Sequence, residues 1–298
     1  MNSTYRHSLA GSVILYNPDY DVPDNVASYL NAVDRLYVVD NQNGKAVAER
    51  IAALAPEKVT VISNPENEGI AKPLNTVLRL CRDKYDLLIT MDQDSRFLPG
   101  HMSSYRTGFD SLDWTSVFGV GPTAVPKTIQ YNASECESVR KIWGGGHWDA
   151  VFRMITSGNV IDVSKALLLG GFDESLFIDE VDHDMCYKAD KAGFKLFTTP
   201  DILLAHQMGN PLAKRFLWRT IHSMNHPPVR KYYIARNRLL VWRKYHSMNE
   251  AFFFRHYIYA SALDIFKILY MESDKARKIR ASFRGFADAV SGRTGKRF

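Results

Sequence analysis

Through the first 210 residues, short apolar runs alternate with stretches of helical spacing, and each apolar run stops abruptly on polar residues. Residues 12–16 form a β-type run ended by Asn17-Pro18-Asp19, where the fixed φ of proline marks a turn. Helical spacing follows over 23–30. A second strand is predicted at 36–39, breaking at Asp40-Asn41-Gln42-Asn43-Gly44, then a helix over 46–54 and a third strand at 59–62. The polar loop 64–69 leads to Leu74, Val77, Leu78 and Cys81, spaced i, i+3, i+4, i+7, with Pro73 suited to a first helical turn. The run Leu87-Leu88-Ile89-Thr90-Met91 then delivers Asp92 and, one residue on, Asp94. Strand and helix alternating in this way predict a doubly wound, mostly parallel sheet flanked by helices, with its loops gathered along one edge. Further on, the pattern predicts a strand at 156–161, a helix over 163–169 ending at Gly170-Gly171, and a last strand at 194–198.

Beyond residue 210 the pattern changes. Phe252, Phe253, Phe254, Tyr257, Ile258, Tyr259, Leu263, Ile265, Phe266, Ile268 and Leu269 make a strongly apolar amphipathic stretch, followed by Lys275, Arg277, Lys278, Arg280 and Arg284. Three uses fit it: binding in the plane of an anionic membrane, a homodimer seam, or packing in the core. The division expected is therefore a catalytic or binding domain over 1–210 and a basic helical region over 211–298.

Charge sharpens that division. The net charge of +6 conceals 19 Lys/Arg against 27 Asp/Glu in residues 1–210, and 19 against 5 in residues 211–298. A basic block of this kind suits nucleic acid, anionic lipid or an anionic substrate. No RNA-recognition or zinc-finger pattern accompanies it, so nucleic acid is not the expected partner. Cys81, Cys136 and Cys186 are widely spaced and lack a C-x-x-C pairing, as expected of reduced thiols. Residues 1–10 contain no apolar signal region and no window offers eighteen uninterrupted apolar residues, so a cytoplasmic location is expected.

The chemistry collects at strand ends. Ligands in open α/β sheets bind beyond the carboxyl ends of the strands. Two hard oxygen ligands there, Asp92 and Asp94, suit Mg2+ or Mn2+ held jointly by protein and a substrate diphosphate. Asp40 and Asn41 offer hydrogen bonds to a base or ribose, and Asn67 and Gly69 precede a helix whose amino terminus favours phosphate. Blander uses exist: Asp40 as a helix cap, Asn67 and Gly69 as a turn. Later, Asp173, Glu174, Asp179, Glu180, Asp182 and Asp184 crowd one segment. They read either as a solvated helix start or, beside Phe177-Ile178, as acids in partly dry surroundings.

Together, Val13-Ile14-Leu15-Tyr16-Asn17, Val38-Val39-Asp40-Asn41, Asn67-Glu68-Gly69-Ile70-Ala71 with Asn75, and Asp92-Gln93-Asp94 resemble the family 2 inverting glycosyltransferases of the GT-A fold. Within that family the chain is most similar to bacterial rhamnosyltransferases of O-antigen and capsule synthesis. The resemblance covers residues 10–240. It implies a GT-A, Rossmann-like domain with a C-terminal helical extension. By the same resemblance Asp40 meets the nucleotide base, and Asn67 to Ala71, with Tyr16, Asn17, Asn41 and Asn75, form the nucleotide pocket. Asp94 holds the metal, with Asp92 at the sugar or ribose. Aligning Asp184-Met185-Cys186 with the family's Asp-Leu-Cys makes Asp182 the catalytic base and Asp179 the next candidate. His206-Gln207-Met208-Gly209 resembles a segment near metal and diphosphate, which adds His206 as a third metal ligand, although a lone histidine after an apolar run is commonly a buried core residue. Tyr233-Ile234-Ala235-Arg236-Asn237 matches the family's Tyr-x-x-Arg-Asn stretch, with Arg236 either at a phosphate or in a helix salt bridge.

The expected partners are then a nucleotide-sugar, foremost dTDP-L-rhamnose, and a saccharide acceptor, polyprenyl-diphosphate-linked at the cytoplasmic membrane face. A UDP- or GDP-sugar transferase is the nearest alternative, and a non-enzymatic membrane or nucleic-acid module a more distant one. Trp143-Gly144-Gly145-Gly146-His147-Trp148 lacks the Lys-Ser/Thr of a phosphate loop and is expected to be a loop beside the substrates or a plain connection.

Overall fold

A computed structural model describes residues 5–127, 147–207, 209 and 211–298. The chain divides into two compact units, one of Met1–Phe172 with Met185–Gln207, the other of Asp173–Asp184 with Met208–Phe298. The acidic segment thus groups with the C-terminal residues.

The first unit is built on a nine-stranded sheet. In chain order its elements are β1 (Leu9–Leu15), α1 (Val22–Leu30), β2 (Arg35–Asp40), α2 (Lys45–Leu54), β3 (Val59–Ser63), α3 (Ala71–Cys81), β4 (Leu87–Asp92) and β5 (Arg96–Phe97). These are followed by α4 (His101–Asp110), β6 (Val117–Pro126), β7 (Asp149–Ala150), β8 (Asn159–Asp162), α5 (Val163–Leu168) and β9 (Lys195–His206). The strand order is β3-β2-β1-β4-β8-β6-β9-β5, with β7 also on β9. From β3 to β4 the pairing is parallel, as the alternation predicts. Helices cover both faces of such a sheet, so Leu9, Val13, Leu15, Leu36, Val38, Leu87 and Ile89 are all buried. The amphipathic face predicted for α3 is likewise buried at Leu74, Val77, Leu78 and Cys81.

Beyond β4 the sheet is mixed: β8 runs antiparallel to β4 and β6, whereas β6 and β9 are parallel. The pattern of residues did not reveal β6, because Gly119, Gly121, Pro122 and Pro126 interrupt its apolar run. A Cβ on Gly119 would come within 3.0 Å of the Val160 carbonyl oxygen, so glycine lets the strands close up there. The strand expected at 194–198 continues to His206. Thr199 pairs with Pro122 and Leu203 with Thr123, so residues 200–202 bulge past Pro200 before pairing resumes. Nor is it the last strand, because a hairpin of β10 (Leu212–Phe216) and β11 (Arg219–Ser223) follows. The region from 211 is therefore not helical throughout.

The second unit contains that hairpin, α7 (Pro228–Tyr245), a short α8 (Glu250–Phe253), a π-helical turn over Phe254–Tyr259, α9 (Ala260–Met271) and α10 (Lys275–Val290). It also holds the first residues of α6 (Val181–Lys191). Helix α10 packs closely on α7, for a Cβ on Gly285 would fall on the Tyr232 carbonyl oxygen. Lys278, one of the basic residues that follow the apolar stretch, is buried and bonded to Glu272 at 2.8 Å, with Lys231 on the same carboxylate at 3.0 Å. Among the described residues, no helix is long and apolar enough to cross a membrane. Cys81 and Cys186 are buried free thiols; Cys136 and residues 143–146 of the glycine-rich stretch lie outside the described residues.

Candidate active site

Parallel register aligns the strand ends of the first unit: Asp40 pairs with Leu15 and with Ser63, and Asp92 pairs with Ile14. Gln93, between the two acids, clasps the end of β1 at two points. Its Oε1 accepts the Tyr16 N–H at 2.9 Å and its Nε2 donates to the Tyr16 carbonyl at 3.1 Å. Tyr16 itself is exposed, and Asn17, at φ 43°, accepts at its Oδ1 from Asn43 at 2.6 Å.

Asp40 is buried, and its Oδ1 accepts the N–H groups of Gln42 at 3.2 Å and Gly44 at 2.8 Å. This carboxylate oxygen shapes the turn into α2. Asn41 is a staple: its Nδ2 donates to Asn67 Oδ1 at 3.1 Å and to the Gly69 carbonyl at 2.7 Å. Its Oδ1 accepts from Asn64 Nδ2 at 2.9 Å and the Glu68 N–H at 3.0 Å. Asn67 completes the loop by accepting the Gly69 N–H at 2.9 Å, with Gly69 at φ 77°, and Ala71 is buried at the start of α3. Asn75 is also buried, bonding the N–H and carbonyl of Phe172 at 2.8 and 2.9 Å. The side chains of Asn41 and Asn75 thus hold loops in place.

Asp92 and Asp94 occupy the turn from β4 to β5, closed by Ser95 N–H on the Asp92 carbonyl at 3.1 Å. Strand β5 pairs antiparallel with β9, Arg96 opposite Ala205, which brings His206 alongside. Its Nδ1 lies 3.4 Å from Asp94 Oδ1 and 3.9 Å from Asp92 Oδ2. One donor atom from each of the three residues lies within 4.8 Å of the others. Two carboxylates and an imidazole, partly accessible, make a donor set that fits Mn2+ or Mg2+. The buried Ser95 hydroxyl lies 2.7 Å from the same His206 Nδ1, so a cation taking the imidazole through that nitrogen would displace this contact. Ser95 and Gln93 were not singled out from the sequence; their work depends on partners that only the folded chain supplies.

In the second unit, the acidic segment is strained. Phe177 (φ 65°, ψ −63°) centres a γ-turn closed by the Ile178 N–H on the Leu176 carbonyl at 2.8 Å, and Asp179 (φ 64°) and Glu180 (φ 65°) also have positive φ, each such residue costing about 1–3 kcal/mol. The Asn237 side chain holds it by donating to the carbonyls of Leu176, Ile178 and Asp179 at 2.9, 2.7 and 3.0 Å. Buried Arg236 donates to the carbonyls of Leu176 and Ser175 at 2.9 and 3.3 Å. That corrects both expectations for Arg236, because its guanidinium serves carbonyl oxygens instead of a phosphate or a helix ion pair.

The acids in this segment differ in role. Asp184 is buried and bonded to Lys244 at 2.6 Å and the Tyr245 hydroxyl at 2.8 Å. Burial opposes ionisation of Glu180, but His183, Arg238 and the Tyr257 hydroxyl outweigh it and bring its pKa down to about 2. Burial pushes the Asp179 carboxyl up, opposed by Arg230 at 3.1 Å. Asp182 lies in the first turn of α6, half-buried, its Oδ1 accepting the His183 N–H at 2.9 Å.

Residues 13–137 match the family model described as glycosyl transferase family 2. That match spans 125 of the chain's 298 residues. Over 242 residues the chain is 27% identical to the dTDP-rhamnosyl transferase RfbF of Shigella flexneri, covering 77% of the chain and 78% of the relative. In structure it is similar to the mannosyltransferase PcManGT of Pyrobaculum calidifontis, solved with GDP-Man and Mn2+. That match has a TM-score of 0.56 and 16% identity, over 97% of this chain and 76% of that one. It is also similar to GalNAc-T7 solved with UDP, GalNAc and Mn2+, with a TM-score of 0.54 and 14% identity. There it covers 78% of its own length and 48% of the other, about half of that protein. The fold of the glycosyltransferase is GT-A, and the non-enzymatic module is set aside.

The Asn41 staple has a measurable consequence in the glycosyltransferase. Asn41→Ala would strand the buried Gly69 carbonyl and half-buried groups of Asn64, Asn67 and Glu68, and is expected to lower unfolding free energy by about 2–3 kcal/mol. Urea denaturation measures this; an unchanged midpoint would mean the loop over 64–69 is held by other contacts.

Proposed function

We propose that this enzyme is an inverting glycosyltransferase that moves L-rhamnose from dTDP-L-rhamnose onto a hydroxyl of a saccharide acceptor, polyprenyl-diphosphate-linked, in bacterial surface polysaccharide synthesis. The observation that carries the reading is the grouping of Asp92, Asp94 and His206 where β4 ends, a donor set suited to a cation shared with a diphosphate. The choice of rhamnose rests on the likeness to RfbF.

Asp182 is assigned as the base. It takes the proton from the acceptor hydroxyl while that oxygen attacks the anomeric carbon, and the bond from that carbon to the diphosphate breaks with inversion. No protein nucleophile takes part. Asp179, its carboxyl pushed up by burial, is the second candidate. Asp92, Asp94 and His206 would hold Mg2+ or Mn2+, which when bound neutralises charge on the departing diphosphate. Asp40 takes the nucleotide base, and the loop through Asn67, Gly69 and Ala71, braced by Asn41 and Asn75, lines the pocket that Tyr16 and Asn17 complete. The enzyme works in the cytoplasm against the inner membrane face, with no nucleic-acid partner. A homodimer seam in the second unit remains the other use for its apolar helical surface.

A panel of nucleotide-sugars tests the assignment. With Mn2+ present, dTDP-L-rhamnose is expected to be hydrolysed and transferred at least about tenfold faster than UDP- or GDP-sugars, and chelation should suppress the reaction. A preference of that size for a UDP- or GDP-sugar would replace the donor assignment.

A further inference from the structure

The turn of the β10–β11 hairpin is built from the wrong residues for water. Phe216 pairs with Arg219, leaving Leu217 and Trp218 as a two-residue turn. Such turns select Asn-Gly, Asp-Gly or Gly-X because positive φ is required. Here Leu217 takes φ 53° at 65% exposure, and Trp218 is 78% exposed. Leucine is uncommon in the left-handed region, and the tip sets two large apolar side chains next to one another in solvent.

The surroundings are consistent in charge. Lys214, Arg215 and Arg219 flank the tip, all exposed, and residues 211–223 contain no acid. The hairpin is also fixed to α9. Phe216 stands edge-on to Phe266 and Tyr270 at 5.5 and 5.2 Å, and the Tyr270 hydroxyl donates to the Arg215 carbonyl at 2.7 Å. The apolar tip therefore extends toward exposed Phe266 on α9 and is not a loose end.

From this geometry we infer that the Leu217-Trp218 turn is a wedge that enters the interfacial layer of an anionic membrane. Tryptophan prefers that layer, and cations beside it pair with lipid phosphates. At this tip a second copy of the chain is the poorer occupant, since residues 211–223 hold Lys214, Arg215 and Arg219 and no acid, and two such tips repel. The inference rests on the proposed transfer at the membrane face for its purpose only.

The test uses the full chain and vesicles, without donor or acceptor, so failure of the sugar assignment leaves it intact. The parent is expected to float with vesicles of equal phosphatidylglycerol and phosphatidylcholine, and at least about tenfold less with phosphatidylcholine alone. The double variant Leu217→Gly with Trp218→Asn gives the turn residues suited to its backbone, so its melting temperature should not fall. Its binding to the anionic vesicles should weaken at least about tenfold. Arg219→Glu should weaken it as well. A parent that does not float, equal flotation on neutral vesicles, or a double variant that binds like the parent overturns the wedge. So does a double variant that keeps vesicle binding while losing self-association in light scattering, since a second copy would then be the occupant.

Discussion

Asp182→Asn is expected to abolish transfer, by about 10²–10⁴-fold, with nucleotide binding nearly unchanged. Asparagine keeps an oxygen to accept the His183 N–H, so the start of α6 should be preserved, but it cannot take up a proton. The neighbouring acids are poor substitutes. Asp184 is held by Lys244 and Tyr245, and Glu180 is kept ionised by His183, Arg238 and Tyr257, which makes it a weak base. Asp179→Asn is the informative companion. If Asp182→Asn turns over at a near-normal rate while Asp179→Asn is silent, the base moves to the carboxyl that pairs with Arg230. Single-turnover rates, with donor affinity measured separately, distinguish a lost proton acceptor from a lost fold.

The second large effect is at the metal group. Asp94→Ala removes the carboxylate whose Oδ1 is 3.4 Å from His206 Nδ1 and leaves two of three donors. Calorimetry should show Mn2+ affinity, and Mn2+-dependent donor affinity, falling on the order of a hundredfold, because losing a direct ligand costs at least what losing an outer-shell partner does. The fold should survive: Asp94 is partly exposed, and the turn is closed through the Asp92 carbonyl and Ser95 N–H. Undiminished donor affinity in Mn2+ would remove Asp94 from the metal site.

Much of the first unit was legible because its signals are local. The apolar runs at β1, β2, β3 and β4 and the helical spacing of α3 are periodicities that a few residues carry by themselves, and a strand end can be read from where such a run stops. Asp40 and Asp92 therefore mark the carboxyl edge of the sheet through local signals alone. The breaks in the reading have equally local causes. Glycine and proline hide β6, and Pro200 disguises the bulge that carries β9 on to His206.

Local order along the chain sets the alternation of strand and helix, the edge where polar residues gather, and the excess of positive charge after residue 210. Which polar residues meet is settled by long-range pairing. His206 reaches Asp94 because β5 pairs with β9, more than a hundred residues away along the chain. Asn41, Asn75 and Arg236 became braces, and Lys278 a buried ion-pair partner, because each found acceptors in other segments. Periodicity encodes which face of an element is dry. It carries no record of the distant group that satisfies a buried donor, and that pairing separates a brace from a ligand.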